Sequence, residues 1–312
     1  MSGGQSKFRR FLFPAAGVLL FILLFFFFLE LPLFLSLSPR GIRFTPGRAV
    51  EELVKFFRQT GAGEFNTFFI GKMPYKLSLI FPECFLNSMI LTLTAGLAGM
   101  VTGITAGMLF SRFEFRPGVM INAFLSFIPD FLLAIVLQYL VIRLLRLIPG
   151  FPVTAAGYGE PVFVLPILVI CLSTGSYLAG SVYSRLRVEK ASEFLLFIRS
   201  RGISRGQVYR RHLFPVVVVH LRSDLRKYVS LILGNLFILE RIFNVRGLSR
   251  LVFSFAYVLK GNFSNARLDQ ALIGPQLNVA AAGLAGTLVL FFLAYWFLYG
   301  ILLLFRKVMT GE

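Results

Sequence analysis

Charge is scarce in this chain, and acid is scarcest of all. Lys, Arg, Asp and Glu make up 15% of the 312 residues, with 14 acids against 32 bases. A soluble protein of this length would lack the polar surface to cover itself. Cysteine is nearly absent too. Cys84 and Cys171 lie in or beside apolar runs without metal-like spacing, so they read as buried thiols and exclude a disulfide framework or a zinc site. The two histidines, His212 and His220, share one basic stretch. Neither a metal pair nor a catalytic triad can be drawn from them, and surface packing accounts for each. A phosphate-binding loop is missing as well: Gly71-Lys72-Met73 lacks the preceding glycine and the following hydroxyl. The chain is therefore expected to hydrolyse no ATP.

What is there instead is apolar length. Hydrophobic residues form 57% of the chain, 37 of them phenylalanine, and they fall in long runs that read as several transmembrane helices. A formal charge of +18 suggests nucleic acid at first sight. The bases, however, sit in short segments between apolar spans, where membrane orientation explains them. No nucleic-acid partner is expected; the partner that composition implies is the lipid bilayer.

In chain order, Lys7, Arg9 and Arg10 precede a run from Phe11 to about Leu37, too long for a signal peptide's apolar core. It reads as an uncleaved first helix with its N-terminus in the cytoplasm. Residues 38–83 are mixed and polar, an extracytoplasmic segment with an amphipathic piece at Ala49 to Arg58. The second span, about Cys84 to Phe110, carries Gly99, Gly103 and Gly107 on one helix face, a seam for close helix approach. The third, about Val119 to Leu147, is expected to kink at Pro129. Within it Asp130 lies close to mid-membrane, where an ionised carboxylate is costly and is either functional or paired. The fourth runs from about Pro161 to Tyr183. The fifth begins near His220, with Arg222, Asp224, Arg226 and Lys227 in its first turns at the inner surface and Asn235 deep inside. Residues 244–278 form an outer segment with a short helix at Leu248 to Leu259, and a last span covers about Val279 to Phe305. The expectation is one all-α membrane domain over 1–312, of about six helices, with both termini inside.

The stretch from Glu193 to Pro215, within an inner loop over 184–219, has a shape of its own. A short apolar turn leads to Arg199, Ser200, Arg201 and a break at Gly202, where glycine can supply a positive φ. A second, more polar helical stretch follows and is expected to end at His212 and Pro215. This segment resembles the cytoplasmic coupling loop of the inner-membrane permeases of binding-protein-dependent ABC importers. It is most similar to the first permease of the dipeptide/oligopeptide/nickel group. The family pattern is an acid, an aromatic, then Ala-Arg-Ala-Lys-Gly-Leu-Ser, and later a histidine. Here stand Glu193, Phe194, Ile198 through Ser204 with Arg199, Arg201 and Gly202 in register, and His212 at the matching offset. The family's Glu-x-Ile-Phe and Pro-Gly-x-Gly-x-Leu fall on Glu240 to Phe243 and on Arg246 to Leu251. The family's Ser-x-Pro-Ser-Phe falls on Phe127 to Phe131. The chain departs from the pattern at Ile198 and Ser200 (alanines in the family), Arg246 and His220 (prolines), Ser249 (glycine), and Phe127 and Asp130 (serines).

The resemblance implies a type I ABC importer permease (MetI-like) fold and a division of labour. This chain and a second, similar permease form the pathway. Two ATPase subunits, which hold the ATP, dock on the inner loops. An extracellular solute-binding protein delivers a peptide or similar polar solute to the cytoplasmic membrane of a bacterium or archaeon. The ATPase-coupling residues it implies are Glu193, Phe194, Arg199, Arg201, Gly202, Ser204 and His212. Two other classes stay open on the residues alone. An ion-coupled secondary transporter would use intramembrane charge such as Asp130, and a membrane assembly protein would explain the bulk composition. Asp130 itself has two readings, a pathway group that meets a cationic solute or a structural acid satisfied locally.

Overall fold

Three helices among the described residues are long and apolar enough to cross a bilayer: Leu77–Phe113, Val164–Lys190 and Leu277–Lys307. At 1.5 Å per residue each exceeds the roughly 30 Å hydrocarbon core. The pair Arg116–Phe127 and Asp130–Leu147 counts as a fourth if taken as one bent span. The computed structural model describes residues 20–21, 24–27, 34–38, 41–44, 46–70, 73–148, 153–157, 162–193, 197–198, 201–260 and 272–310. The expected first span, Phe11 to Leu37, lies largely outside them. Its last residues fold as a strand, Leu35–Ser38 (β1), and not as helix. Of the coupling residues, Phe194 and Arg199 also lie outside the described set.

Several expected boundaries move, each for a local reason. Pro46–Gly61 forms α1, longer than the amphipathic piece at Ala49 to Arg58. Helix α2, Leu77–Phe113, starts before Cys84 and carries Pro82 inside. The expected single kinked span is two helices, α3 (Arg116–Phe127) and α4 (Asp130–Leu147), bent by 104°. Ile128 takes the extended conformation (φ −73°, ψ 123°) that a following proline favours. Pro129 is extended in turn (ψ 137°) and has no N–H. No helical hydrogen bond crosses the pair, and the Pro129 carbonyl restarts the ladder by accepting from Leu132 (2.9 Å) and Leu133 (3.2 Å).

Helix α5, Val164–Lys190, continues past Tyr183, with Arg185 paired to Glu189 at 2.6 Å. The stretch after Gly202 does not end at His212 and Pro215. Helix α6 (Arg205–Val208) passes through a π-turn, Tyr209–Leu213, into α7 (Phe214–Ile242). Phe214 N–H reaches Tyr209 O, and the wide turn falls where Pro215 can donate no bond. Helix α8, Leu248–Arg250, and a second π-turn, Leu251–Phe255, replace the expected helix to Leu259. The chain is already in strand at Tyr257–Lys260. The last helix, α9, is Leu277–Thr310.

The chain divides into two compact units. The first gathers residues up to Ile80 with Leu251–Ala282. It holds α1 and three antiparallel hairpins: β1 with β2 (Gly41–Phe44), β3 (Thr67–Ile70) with β4 (Met73–Lys76), and β5 (Tyr257–Lys260) with β6 (Leu272–Pro275). Phe68 is fully buried there against Phe255 and Tyr75. Gln276 exchanges two hydrogen bonds with the Phe69 backbone (2.6 and 2.7 Å), and Asn278 donates to Phe65 O and Thr67 O. Two segments far apart in sequence are thus stitched by side-chain amides where backbone would otherwise go unpaired.

The second unit, Phe81–Arg250 with Gly283–Glu312, is helical. Its buried side chains come chiefly from α5 and α7, whose Val169, Ile170, Val182, Val217, Tyr228, Ile232 and Leu236 are almost wholly covered. Large apolar side chains on α4 and α9, such as Ile135, Val136, Phe292 and Trp296, stay half-exposed. For helices of this length that is the pattern of faces suited to lipid or a partner helix.

Candidate functional site

The glycine seam is a close helix contact in the second unit. A Cβ on Gly99 would stand 2.7 Å from the Tyr228 hydroxyl and 2.8 Å from Thr174 Oγ1. One on Gly103 would meet Gly175 O and Leu178 Cβ at 2.7 Å, and one on Gly107 would meet Ala179 O at 2.7 Å and Val182 Cβ at 2.8 Å. All three glycines therefore bring the α2 backbone against α5. Tyr228 of α7 is fully buried beside the seam and donates to Gly96 O at 2.7 Å, satisfying a hydroxyl that could not otherwise be buried.

Around the coupling segment, Gly202 has φ 76° and open space where a Cβ would be. Its requirement is conformational and not steric. Ser204 then starts α6: its Oγ accepts from Gln207 N–H (3.4 Å) and donates to Gln207 Oε1 (3.1 Å), a variant of the capping box. Arg201 lies over the Phe197 ring at 4.4 Å, while the neighbouring Ile198 is buried. Glu193 is exposed and His212 is half-buried within the π-turn. At the end of α5, Lys190 donates to Ser111 O and sits 5.4 Å from the Tyr209 ring, whose hydroxyl lies 3.5 Å from Ser111 Oγ. The end of α2, the end of α5 and the π-turn are thereby joined. Lys190 and Tyr209 carried no signal in sequence beyond being polar groups near a span end.

Asp130 and Asn235, widely separated in sequence, come together. Ser173 and Asn235 are the polar side chains nearest the Asp130 carboxylate in charge effect, and Asn235 Nδ2 donates to Ser173 Oγ at 3.3 Å. All three line a cleft of about 510 Å³ among α3, α4, α5 and α7. Asp130 occupies the first turn of α4, where a carboxylate is favoured by the helix dipole.

His220 is a partly exposed side chain packed in a polar cluster. Its Nε2 lies 2.9 Å from Ser181 Oγ, which donates to Asp224 Oδ2 at 3.1 Å. Asp224 is itself 3.5 Å from the same Nε2. A hydrolytic triad needs the acid on the other ring nitrogen, so the trio is a polar clasp between α5 and α7. Asp224 consequently points inward, unlike Arg222, Arg226 and Lys227 on the same helix, which are exposed. The i, i+4 spacing of His220 and Asp224 was the available signal.

Glu240 explains the motif that follows α7. Its carboxylate is 1% exposed, bonded to the Ser88 hydroxyl and accepting from Ser249 N–H at 2.9 Å, while Leu248 N–H donates to Ser88 Oγ at 2.8 Å. Glu240 and Ser88 together satisfy the first donors of α8. Gly247 passes directly over the carboxylate, leaving no room for a Cβ. Arg246, in the place of a proline, accepts from Asn87 through its carbonyl and pairs with Glu83 at 3.3 Å. Among the described residues no group of His, Cys, Asp and Glu is placed to hold a metal ion.

Comparison with known proteins gives a consistent result. A model of the family described as binding-protein-dependent transport system inner membrane component matches residues 99–303. The glutathione transport system permease protein GsiC of Salmonella choleraesuis (strain SC-B67) is 24% identical over 194 residues, 61% of this chain and 61% of that protein. A putative peptide transport system permease protein of Brucella abortus (strain 2308) is 29% identical over 164 residues, 49% of this chain and 50% of that protein. The chain therefore aligns over half to three-fifths of the length of these relatives. A solved structure of the MetNI methionine ABC transporter in inward-facing conformations superposes with a TM-score of 0.53 at 18% identity. The match covers 72% of this chain and 96% of that one, and it shows a shared fold.

Proposed function

The chain belongs to the family of binding-protein-dependent transport system inner membrane components, and from that premise we propose that it is the permease subunit of an ATP-driven importer for peptides or similar small polar solutes. The names of its relatives, a glutathione permease and a putative peptide permease, support the substrate class. The observation that carries the mechanism is the segment from Arg201 to Leu213. It is a bend with φ 76° at Gly202, followed by a capped helix that continues through the π-turn into the long helix α7.

A push on such a segment is passed on as a rigid-body movement, because α6, the π-turn and α7 follow one another with no non-helical residue between them. Lys190 and Tyr209 tie the same segment to the ends of α5 and α2. Two separate ATPase subunits supply the push by closing on ATP, a second permease completes the pathway, and an extracellular binding protein delivers the solute. Both termini and the coupling segment face the cytoplasm. The test is purification in mild detergent with co-expressed neighbouring subunits. An ATPase that co-purifies and drives uptake supports the reading. A lone chain that carries ion-driven flux overturns it in favour of a secondary transporter, the reading that an intramembrane Asp130 would otherwise suit.

A further inference from the structure

The cleft of about 510 Å³ has a size that fits a small solute, within the roughly 300–1,000 Å³ of such sites. Its chemistry is lopsided. Hydroxyls and an amide from Ser126, Ser173, Thr174, Ser176, Ser181 and Asn235 line it, and Asp130 is the one charged side chain among its lining residues. The polar neighbours of Asp130, Ser173 and Asn235, are neutral, and no cationic side chain stands among the lining residues to cancel its charge. A position in the first turn of α4 accounts for tolerance of an acid there. It does not account for a polar cavity opening in front of that acid.

We propose that this cleft receives the ammonium group of a cationic solute, with the Asp130 carboxylate as its counter-charge. An ammonium has three donors and no acceptor. The carboxylate takes one in a charge-assisted bond, and Ser173 Oγ and the neighbouring hydroxyls offer acceptors for the others. An anionic group in the same place meets only neutral donors and the field of Asp130. The cleft therefore discriminates by sign. Ser181, another lining residue, already donates to Asp224 Oδ2 and so presents its oxygen as an acceptor.

This inference rests on the importer reading, and its test separates the two. The complete importer, reconstituted in proteoliposomes with ATP inside and its binding protein outside, is offered lysyl-alanine, alanyl-alanine and the anionic N-acetyl-alanyl-alanine, which has no ammonium group. The expected result is that wild type prefers the cationic dipeptide over the anionic one. Asp130→Asn should lower that ratio about tenfold, the factor lost with one charge-assisted contact. Asp130→Glu should keep it. Because every variant shares the same binding protein, a change in ratio belongs to this chain. A purely structural acid moves all three rates together, so an equal fall for the three dipeptides, or an unchanged ratio in Asp130→Asn, overturns the proposal while leaving the importer intact. Failure of wild type to import any of them with ATP removes the importer reading, and this proposal with it.

Discussion

Gly103 offers the sharpest test of the packing, because the sign of the effect is set by geometry. A methyl group there would stand 2.7 Å from Gly175 O and 2.7 Å from Leu178 Cβ, whereas ordinary contact begins at 3.4 Å. The shortfall is 3.4 − 2.7 = 0.7 Å. Neither partner atom is at the end of a flexible side chain, so α2 and α5 must separate by about that distance. A gap of roughly 0.5–1 Å forfeits a quarter to a half of each dispersion contact along the seam, and overpacking of this kind costs about 1–3 kcal/mol. Gly234 in α7 is the control: nothing lies within 4 Å of its would-be Cβ. Alanine in that helix interior is favoured over glycine by roughly 0.5–1 kcal/mol. Equilibrium unfolding in mixed micelles should therefore show Gly103→Ala destabilised by about 1–3 kcal/mol and Gly234→Ala unchanged or stabilised. Equal stability of Gly103→Ala and wild type would refute the seam.

Two further substitutions probe the buried polar groups. Glu240→Ala should cost several kcal/mol, about 1–3 for each donor left unpaired at Ser88 and Ser249, and Glu240→Gln much less, read by the same unfolding measurement. Equal losses in the two variants would mean that the carboxylate charge and not its shape secures α8. Tyr228→Phe should cost about 1 kcal/mol through loss of the bond to Gly96 O. A neutral result would mean that the carbonyl is satisfied within its own helix.

The periodicity of apolar runs was enough to place α2, α5 and α9, because helices that must satisfy their own backbone in lipid are long and uniform. It was not enough at Pro129. A proline inside a helical pattern predicts a kink, but the size of the bend depends on whether the preceding residue leaves the helical region, and Ile128 does. Pro215 errs in the other direction. It looks like a stop, yet the π-turn before it absorbs the missing donor and the helix continues. Gly202 was legible because a positive φ has few residue types to serve it. Asp130 and Asn235 were legible one at a time, as polar groups in apolar surroundings. Their meeting was not, because it is set by the bend at Ile128 and Pro129, which no spacing encodes. Lys190, Tyr209, Ser181 and Ser88 carried no advance signal, being ordinary polar residues whose partners are distant in sequence.

If the segment around Gly202 transmits work done by separate ATPase subunits, as proposed, disturbing its bend should separate transport from ATP hydrolysis. The most direct measurement is the ratio of solute transported to ATP hydrolysed in proteoliposomes holding the full importer, for wild type and Gly202→Val. Valine at φ 76° is strained by about 1–2 kcal/mol, and a β-branched side chain relieves that strain by rotating the bend. With no neighbour within 4 Å of the Cβ position, the substitution disturbs the bend and no packing. The account predicts a complex that assembles and hydrolyses ATP while transport per ATP falls sharply. Full transport by Gly202→Val at normal expression would contradict it.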